Sequence, residues 1–374
     1  MKSIIKAICI IQCSLLFFSC NNQSDDSDFG GIVIDSPLKK EVYPDSLLTV
    51  SSIFESVDTI YLENDSAEST IGMVQDIKLS DDLIFIRSSY GLFVFNYEGK
   101  FIRRIGNKGR GPGEYLSLSK FDILKSKREV SIIDFDLNRV LVYSYEGEFL
   151  RKFDFEDFVH DFAVLPNGNY LFMNPDYYDK EKRRGLWETD PNGVFVKQLF
   201  TIPDYYKHVS INTRYLAHIN PEEIGCQGLE DLDYIYHYKN DSIYPKYKIK
   251  TDIKVPRKIQ KQTGRWTNPD REYTKTGYFE TDRFLLFEVT NFENDVRVIY
   301  DKKKDMVFRQ YSDYFGRISS LDNIMPYFNS CYEGNCIVSL EPQMVLAVEE
   351  LKELYPTITA DSNPILFVFK EKSE

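Results

Sequence analysis

The chain has 374 residues and carries 27 Phe, 26 Tyr and 2 Trp against six Ala. Ala is the best helix former, whereas Tyr and Phe favour pleated, half-buried surfaces, so a helical bundle or solenoid is excluded. A hydrophobic content of 43% with 28% charged residues marks a globular chain, and a net charge of −12 opposes phosphate backbones, so no nucleic-acid partner is expected.

In chain order, residues 1–19 read as a signal peptide. Lys2 and Lys6 precede an apolar run too short to span a bilayer comfortably. Ser19 before Cys20 resembles the bacterial lipobox, in which cleavage precedes a cysteine that becomes lipid-modified. That resemblance implies an exported lipoprotein held on a membrane by acyl chains at Cys20. Residues 20–50 read as the lipidated Cys and a flexible, acidic, Gly-containing tether. Ser24, Asp25, Asp26, Ser27 and Asp28 resemble the export signal of surface lipoproteins in Bacteroidetes-type bacteria, which favours display at the cell surface over a periplasm-facing anchor.

Residues 51–374 read as one repeating domain. Four hairpin phrases place their turns at Gly99, Gly147, Gly193 and Asp241, at spacings of 48, 46 and 48 residues, with a looser fifth near Lys303. Each phrase is strand, turn, strand, and a second strand pair lies upstream of it. Four strands at a period in the forties is the signature of a β-propeller, in which neighbouring sheets cover each other's faces. Six blades are predicted, at residues 71–105, 116–155, 158–202, 206–249, 277–311 and 318–369, with residues 251–277 as a linker or insertion. Residues 53–62 are predicted to add a strand to the last blade and close the ring. The apolar spacing from Glu341 to Tyr355 predicts a short helical insertion inside that blade. The predicted fold class is all-β.

Two passages carry a family resemblance. Asp134, Asn138, Arg139, Tyr143, Gly147 and Phe149 fall in the pattern of the NHL-type propeller repeat. Gly109, Gly111, Pro112, Gly113, Glu114 and Tyr115 resemble the signature of six-bladed propeller lipoproteins from gut Bacteroidetes. The resemblance implies a fold and a location in the outer membrane, not a reaction.

Several motifs invite chemistry. The glycines from Gly106 to Gly113 resemble a phosphate loop, but no helix start and no Gly-Lys-Ser/Thr follow, so a blade-to-blade crossing fits better. Asp134, Asp136 and Asn138 open like a calcium loop, yet Arg139 and Tyr145 stand where Gly and Glu are needed. Of the six cysteines, Cys9 and Cys13 leave with the signal. Cys331 and Cys336 flank a Gly334-Asn335 turn, where a disulfide and two free thiols both fit; Cys226 is left over. No Cys or His pairs have zinc spacing, and no metal or cofactor is expected. Basic runs at Lys125 to Arg128, Lys180 to Arg184 and Lys302 to Lys304 read as solvated hairpin tips, and Glu222-Glu223 and Glu349-Glu350 as solvated faces.

The candidate ligand residues are Arg110, Glu114, Tyr115, His160 and Asp161, expected near the mouth of the central channel. Trp187 and Trp266 read more readily as packing residues than as sugar platforms. The preferred function is a non-catalytic binding or scaffold module of the envelope, for a glycan or an outer-membrane partner protein. The alternative is a lyase or hydrolase working at the channel mouth, which requires His or carboxylate groups converging on the axis.

Overall fold

The computed structural model describes residues 29–35, 53–175, 182–202, 214–227, 234–250, 274–290, 295–312, 328–332 and 334–372. The signal segment, Cys20, Lys180 and Trp266 lie outside the described residues.

Strands β1 (Ile32–Asp35) and β2 (Phe54–Tyr61) precede blade 1, which is β3 (Val74–Leu79), β4 (Leu83–Ser88), β5 (Gly91–Asn96) and β6 (Phe101–Ile105). Two short strands, β7 (Asn107–Lys108) and β8 (Glu114–Tyr115), pair in parallel within the crossing to blade 2. Blade 2 is β9 (Leu118–Leu124), β10 (Glu129–Asp134), β11 (Arg139–Ser144) and β12 (Phe149–Asp154). Blade 3 is β13 (Asp161–Val164), β14 (Tyr170–Asn174), β15 (Gly185–Thr189) and β16 (Phe195–Phe200). Blade 4 is β17 (Leu216–Asn220), β18 (Glu223–Gln227), β19 (Tyr234–Lys239) and β20 (Ser242–Lys250). Blade 5 is β21 (Thr274–Glu280), β22 (Phe284–Thr290), β23 (Asp295–Asp301) and β24 (Met306–Ser312). Blade 6 is β25 (Ser330–Tyr332), β26 (Asn335–Leu340) and β27 (Ile365–Glu371), with β2 as its fourth strand.

The ring is therefore closed by the N-terminal strand. β2 runs antiparallel to β27 from the Phe54–Glu371 pair to Tyr61–Ile365. This strand satisfies the outer edge of β27 and joins the chain's two ends in one sheet, as a ring of sheets with few free edges requires.

Hairpin chemistry sets the repeat. In blades 1, 2 and 3 the turn between third and fourth strands ends on Gly99, Gly147 or Gly193, with φ of 81°, 87° and 84°. Only glycine adopts that region freely. The turn opens on a side chain that bonds back: Asn96 Oδ1 accepts from the Glu98 and Lys100 amides at 3.0 and 2.9 Å. Asp190 Oδ1 does the same for Asn192 and Val194, at 2.8 and 2.9 Å. Blade 4 keeps the position by another means, a two-residue turn with Asn240 and Asp241 both at positive φ.

Six apolar clusters fill the six seams between blades. Phe85 and Val94 of blade 1 pack with Phe121, Ile132 and Tyr143 of blade 2. Val140 and Phe153 of blade 2 pack with Phe162, Phe172 and Trp187 of blade 3. Each fully buried Phe or Leu contributes about 2–3 kcal/mol, so burying both faces of every sheet is what makes the ring stable. The aromatic excess of the composition resides largely here.

Three expectations are corrected. The tether is not flexible throughout: Ile32–Asp35 is a strand, pairing in parallel with the outer edge of β20, and Ile34 is buried in the seam between blades 4 and 5. Thr274 to Gly277, read as linker, belongs to β21. The helical insertion is two short helices, α1 (Pro342–Ala347) and α2 (Glu349–Leu354), broken at Val348, whose Val345 and Leu351 enter the core between blades 5 and 6.

Candidate functional site

The first strand of each blade lines the axis. In three successive blades it carries an Asp followed by an apolar residue: Asp76-Ile77, Asp122-Ile123 and Asp161-Phe162. Each carboxylate accepts the amide of the next residue, at 3.0, 3.0 and 3.1 Å. The same groups also reach across seams. Asp122 Oδ2 accepts the Val164 amide of blade 3 at 2.7 Å, and Asp161 Oδ2 accepts the Tyr215 and Leu216 amides at the start of blade 4 at 2.8 and 3.0 Å.

Cations complete the array. Lys78 Nζ lies 3.2 Å from Asp122 Oδ1, Lys120 Nζ 3.6 Å from Asp161, and Arg214 Nη2 donates to Asp76 Oδ1 at 2.8 Å. Arg214 also donates to the Asn329 carbonyl at 2.9 Å, which ties blade 4 to blade 6 across the ring. His218 Nε2 sits 2.7 Å from Asp122 Oδ2. Tyr332 of blade 6 closes this level of the axis, with Lys78 and Lys125 over its ring at 5.2 and 4.9 Å and His218 edge-on at 5.3 Å.

Burial alone would raise the Asp122 carboxyl; His218, Lys78 and the hydrogen bonds outweigh it and hold the group well below the usual carboxylate range. Asp76 follows the same logic, with Arg214, Lys78 and Arg87 outweighing burial. Asp76 and Asp122 are thus ionised, and the oxygens of all three acids are committed to amides, ammonium groups or a guanidinium, each reaching at least one other blade. They act as braces.

The mouth lies on the face where the first strands begin, here the front face. Arg87, at the end of β4, donates to Gln75 Oε1 at 2.5 Å, while its buried Nε has no partner among the described residues. Burial, and then the like charge of Arg214, push the Arg87 guanidinium below its ordinary value. Among the described residues, the cations Lys78, Arg87, Lys120 and Arg214 neighbour the carboxylates Asp76, Asp122 and Asp161 along the axis, a local cationic excess within an acidic chain.

A second polar cluster lies sealed between blades 4 and 5. His237 is 2% exposed and Glu280 wholly buried. His237 Nδ1 lies 2.5 Å from Glu223 Oε1, and its Nε2 3.0 Å from Glu280 Oε2. Tyr247 and Lys302 donate to Glu280 Oε1 at 2.9 and 2.6 Å, and the Tyr278 hydroxyl donates to Oε2. Gly225 lets that hydroxyl through, since a Cβ there would collide with it. Burial would raise the Glu280 carboxyl; Lys302 and His237 instead bring it down to about 2.

Of the residues expected at the mouth, Asp161 is one of the axial braces. His160 precedes it, its amide donating to the Met173 carbonyl at 2.9 Å. Arg110 is exposed on the crossing between blades 1 and 2. There Glu114 Oε2 accepts the Gly111 amide at 2.6 Å, and its carbonyl accepts Arg139 at 2.6 Å. Tyr115 is 5% exposed within the core of blades 1 and 2. The crossing is thus fastened to blade 2, where Asp134 also accepts the Leu116 and Ser117 amides at 3.0 and 3.1 Å.

Cys331 and Cys336 are joined in a disulfide across the β25–β26 hairpin, and Cys226 is buried, its thiol pushed up by that burial. Trp187 is core, at 2% exposure. Three groups read as solvated are not. Arg184 is buried with its guanidinium on the Ile202 and Pro175 carbonyls, Lys302 reaches Glu280, and Glu223 holds His237.

The sequence reading missed Asp76, Asp122 and Arg214. The first two share a detectable signal, Asp before an apolar residue at equivalent first-strand positions. Among the described residues, no group of three or more His, Cys, Asp or Glu is placed to hold a metal ion, and no helix is long and apolar enough to cross a membrane.

A family model described as Domain of unknown function (DUF4934) matches residues 31–370. No curated protein matches the sequence. Among solved structures, one similar chain is a protein of Bacteroides fragilis NCTC 9343 described as exported. It is 19% identical with a TM-score of 0.74, over 91% of this chain and 99% of that one. A second is a member of the DUF4221 family from Bacteroides vulgatus ATCC 8482, 9% identical with a TM-score of 0.52, over 88% of this chain and 99% of that one. At these identities the likeness concerns the fold.

Proposed function

We propose that this chain, which belongs to the family described as Domain of unknown function (DUF4934), is an exported lipoprotein whose propeller binds without catalysing. The ligand is a glycan or an outer-membrane partner protein carrying acidic or hydroxyl groups. One observation carries this reading. The axial carboxylates, and Arg214 with them, are committed to holding blades together, while Arg87 keeps guanidinium donors at the front mouth, its buried Nε without a partner among the described residues. Such donors suit recognition, and acids so engaged make poor general bases.

The anchor is Cys20. Between it and Phe29, which packs edge-on against Tyr234 of blade 4, the chain can extend at most about 30 Å. A lipid at Cys20 would therefore hold the blade 4 rim beside an outer membrane, with the mouth free to meet a ligand at the cell surface. The test is a glycan array probed with the mature chain in detergent, beside the Arg87→Ala variant. Retention of glycans by the wild type and its loss in the variant is expected; equal retention by both would remove the mouth from the reading. Cys20→Ala is expected to release the protein from the membrane fraction.

A further inference from the structure

The back face, where the first and second strands of each blade turn, carries a feature that the axial reading does not use. Between blades 5 and 6 lies a cavity of about 420 Å³. Asp282 and Arg283 of the β21–β22 turn and Lys303 of the β23–β24 turn line one side. Asn335 of the disulfide-bonded hairpin lines the other, together with Glu371 and Lys372 at the end of β27.

The charges there are unevenly matched. Arg283 Nη2 meets Asp301 at 3.0 Å, but its buried Nε has no acceptor among the described residues, although the residue is only 7% exposed. Lys303 and Lys372 bring ammonium groups with no carboxylate in ion-pair range among those residues. Glu371 is half-buried and accepts the Thr281 hydroxyl. Its burial, only partly offset by Thr281 and Lys302, pushes its carboxyl up to about 7. Among the described lining residues, Asp282 and Glu371 are the carboxylates that face Lys303 and Lys372, neither of which has a carboxylate in ion-pair range, and the cavity attracts anions although the chain carries −12.

Size and lining narrow the ligand. The volume lies within the range of small-molecule sites and far exceeds a bare carboxylate, since one water takes about 30 Å³. No aromatic ring and no large apolar side chain lines it, so a flat apolar body gains nothing there. Asn335, Asp282 and Glu371 offer the alternating donors and acceptors that hydroxyl groups need.

We propose that this cavity is a binding site for a small hydroxylated carboxylate, the chemistry of a sugar acid, independent of the axial mouth. The carboxylate lies against Lys303 and Lys372, and the hydroxyls bond to Asp282, Asn335 and Glu371.

The experiment is calorimetric titration of the mature lipoprotein in detergent with D-glucuronate, D-glucose and acetate. Glucuronate should bind at least tenfold more tightly than either of the others. Lys303→Gln/Lys372→Gln should weaken glucuronate at least tenfold with an unchanged melting temperature, because neither ammonium is part of the folded ion-pair network. Arg87→Ala should leave glucuronate binding as it was, which separates this site from the mouth. Glucuronate binding no tighter than glucose or acetate, or indifference to the loss of both lysines, would overturn the assignment.

Discussion

The seam between blades 4 and 5 and the seam between blades 5 and 6 occupy equivalent places in the ring, yet they treat charge in opposite ways. In the first, His237, Glu223, Glu280, Lys302 and two tyrosines bond to one another with little exposure. In the second, the apolar core of Phe284, Phe328, Cys336 and Phe369 gives way at the back face to a cavity with unpaired lysines and a carboxyl held near neutrality. Desolvating an ion is tolerated only when partners surround it. The closed seam meets that condition, so it braces. The open seam does not, so its charges stay at a solvent-reachable wall, where a ligand can meet them.

The largest effect should come from breaking the closed seam. Glu280→Ala leaves Lys302 and both tyrosine hydroxyls without their buried acceptor, and a loss of about 3–5 kcal/mol is expected. A urea melt of the variant reads it. A shift below about 1 kcal/mol would mean that the array is solvated and braces nothing. Asp122→Asn, on the axis, should cost somewhat less, about 3 kcal/mol, since its amide can still accept one backbone N–H while Lys78 loses its counter-charge.

The two seams should also separate by pH. Glu371 has a folded value of about 7 against an ordinary 4.5. Its contribution to stability is therefore full below about 4.5 and is lost as pH rises toward 7, a change of about 2 kcal/mol after allowance for partial solvent access. Glu280 behaves inversely. With a folded value of about 2, its contribution is full above 4.5 and lost as pH falls toward 2. Stability measured across pH 2–8 should rise to a maximum near pH 4–5. Glu371→Gln should flatten only the upper side of that curve; an unchanged upper side would show that Glu371 is not desolvated.

How much of this was legible in the sequence follows the range of the interactions. The hairpin turns at Gly99, Gly147 and Gly193 are local: an Asn, Ser or Asp opener and a Gly three residues on specify them without reference to anything distant. Ring closure by residues 53–62 was legible as a strand-like segment standing before the first blade. The axial braces were half legible. Repeats aligned on the outer hairpins put no emphasis on the first strands, where Asp76, Asp122 and Asp161 recur. The pairing of His237 with Glu280, 43 residues away, was not legible, because nothing in a sequence says which of 58 acids a given His meets. Basic runs misled for the same reason. Lys302 sits in a tip-like Lys-Lys-Lys turn, yet only the seam decides that its ammonium points inward. β1, four residues with no partner in its own neighbourhood, depends wholly on a blade that forms far downstream.

The smallest expected effect concerns the hairpin that walls the open seam. The disulfide between Cys331 and Cys336 closes a short loop, so on the loop-entropy account it contributes only about 2 kcal/mol. Part of that is retained on reduction, because both cysteines stay buried against Phe54 and Phe369. Cys331→Ser/Cys336→Ser should therefore lower stability by about 1–2 kcal/mol in a urea melt, well short of Glu280→Ala. If the crosslink mattered chiefly for stability, its loss would register in the melt and leave the cavity alone. If it fixes the tip that carries Gly334 and Asn335 against Glu371, the double variant should lose more in glucuronate affinity than the small stability change accounts for, and the Glu371 limb of the pH curve should shift toward that of an exposed carboxyl. A double variant with wild-type affinity and an unshifted limb would assign the disulfide to stability alone.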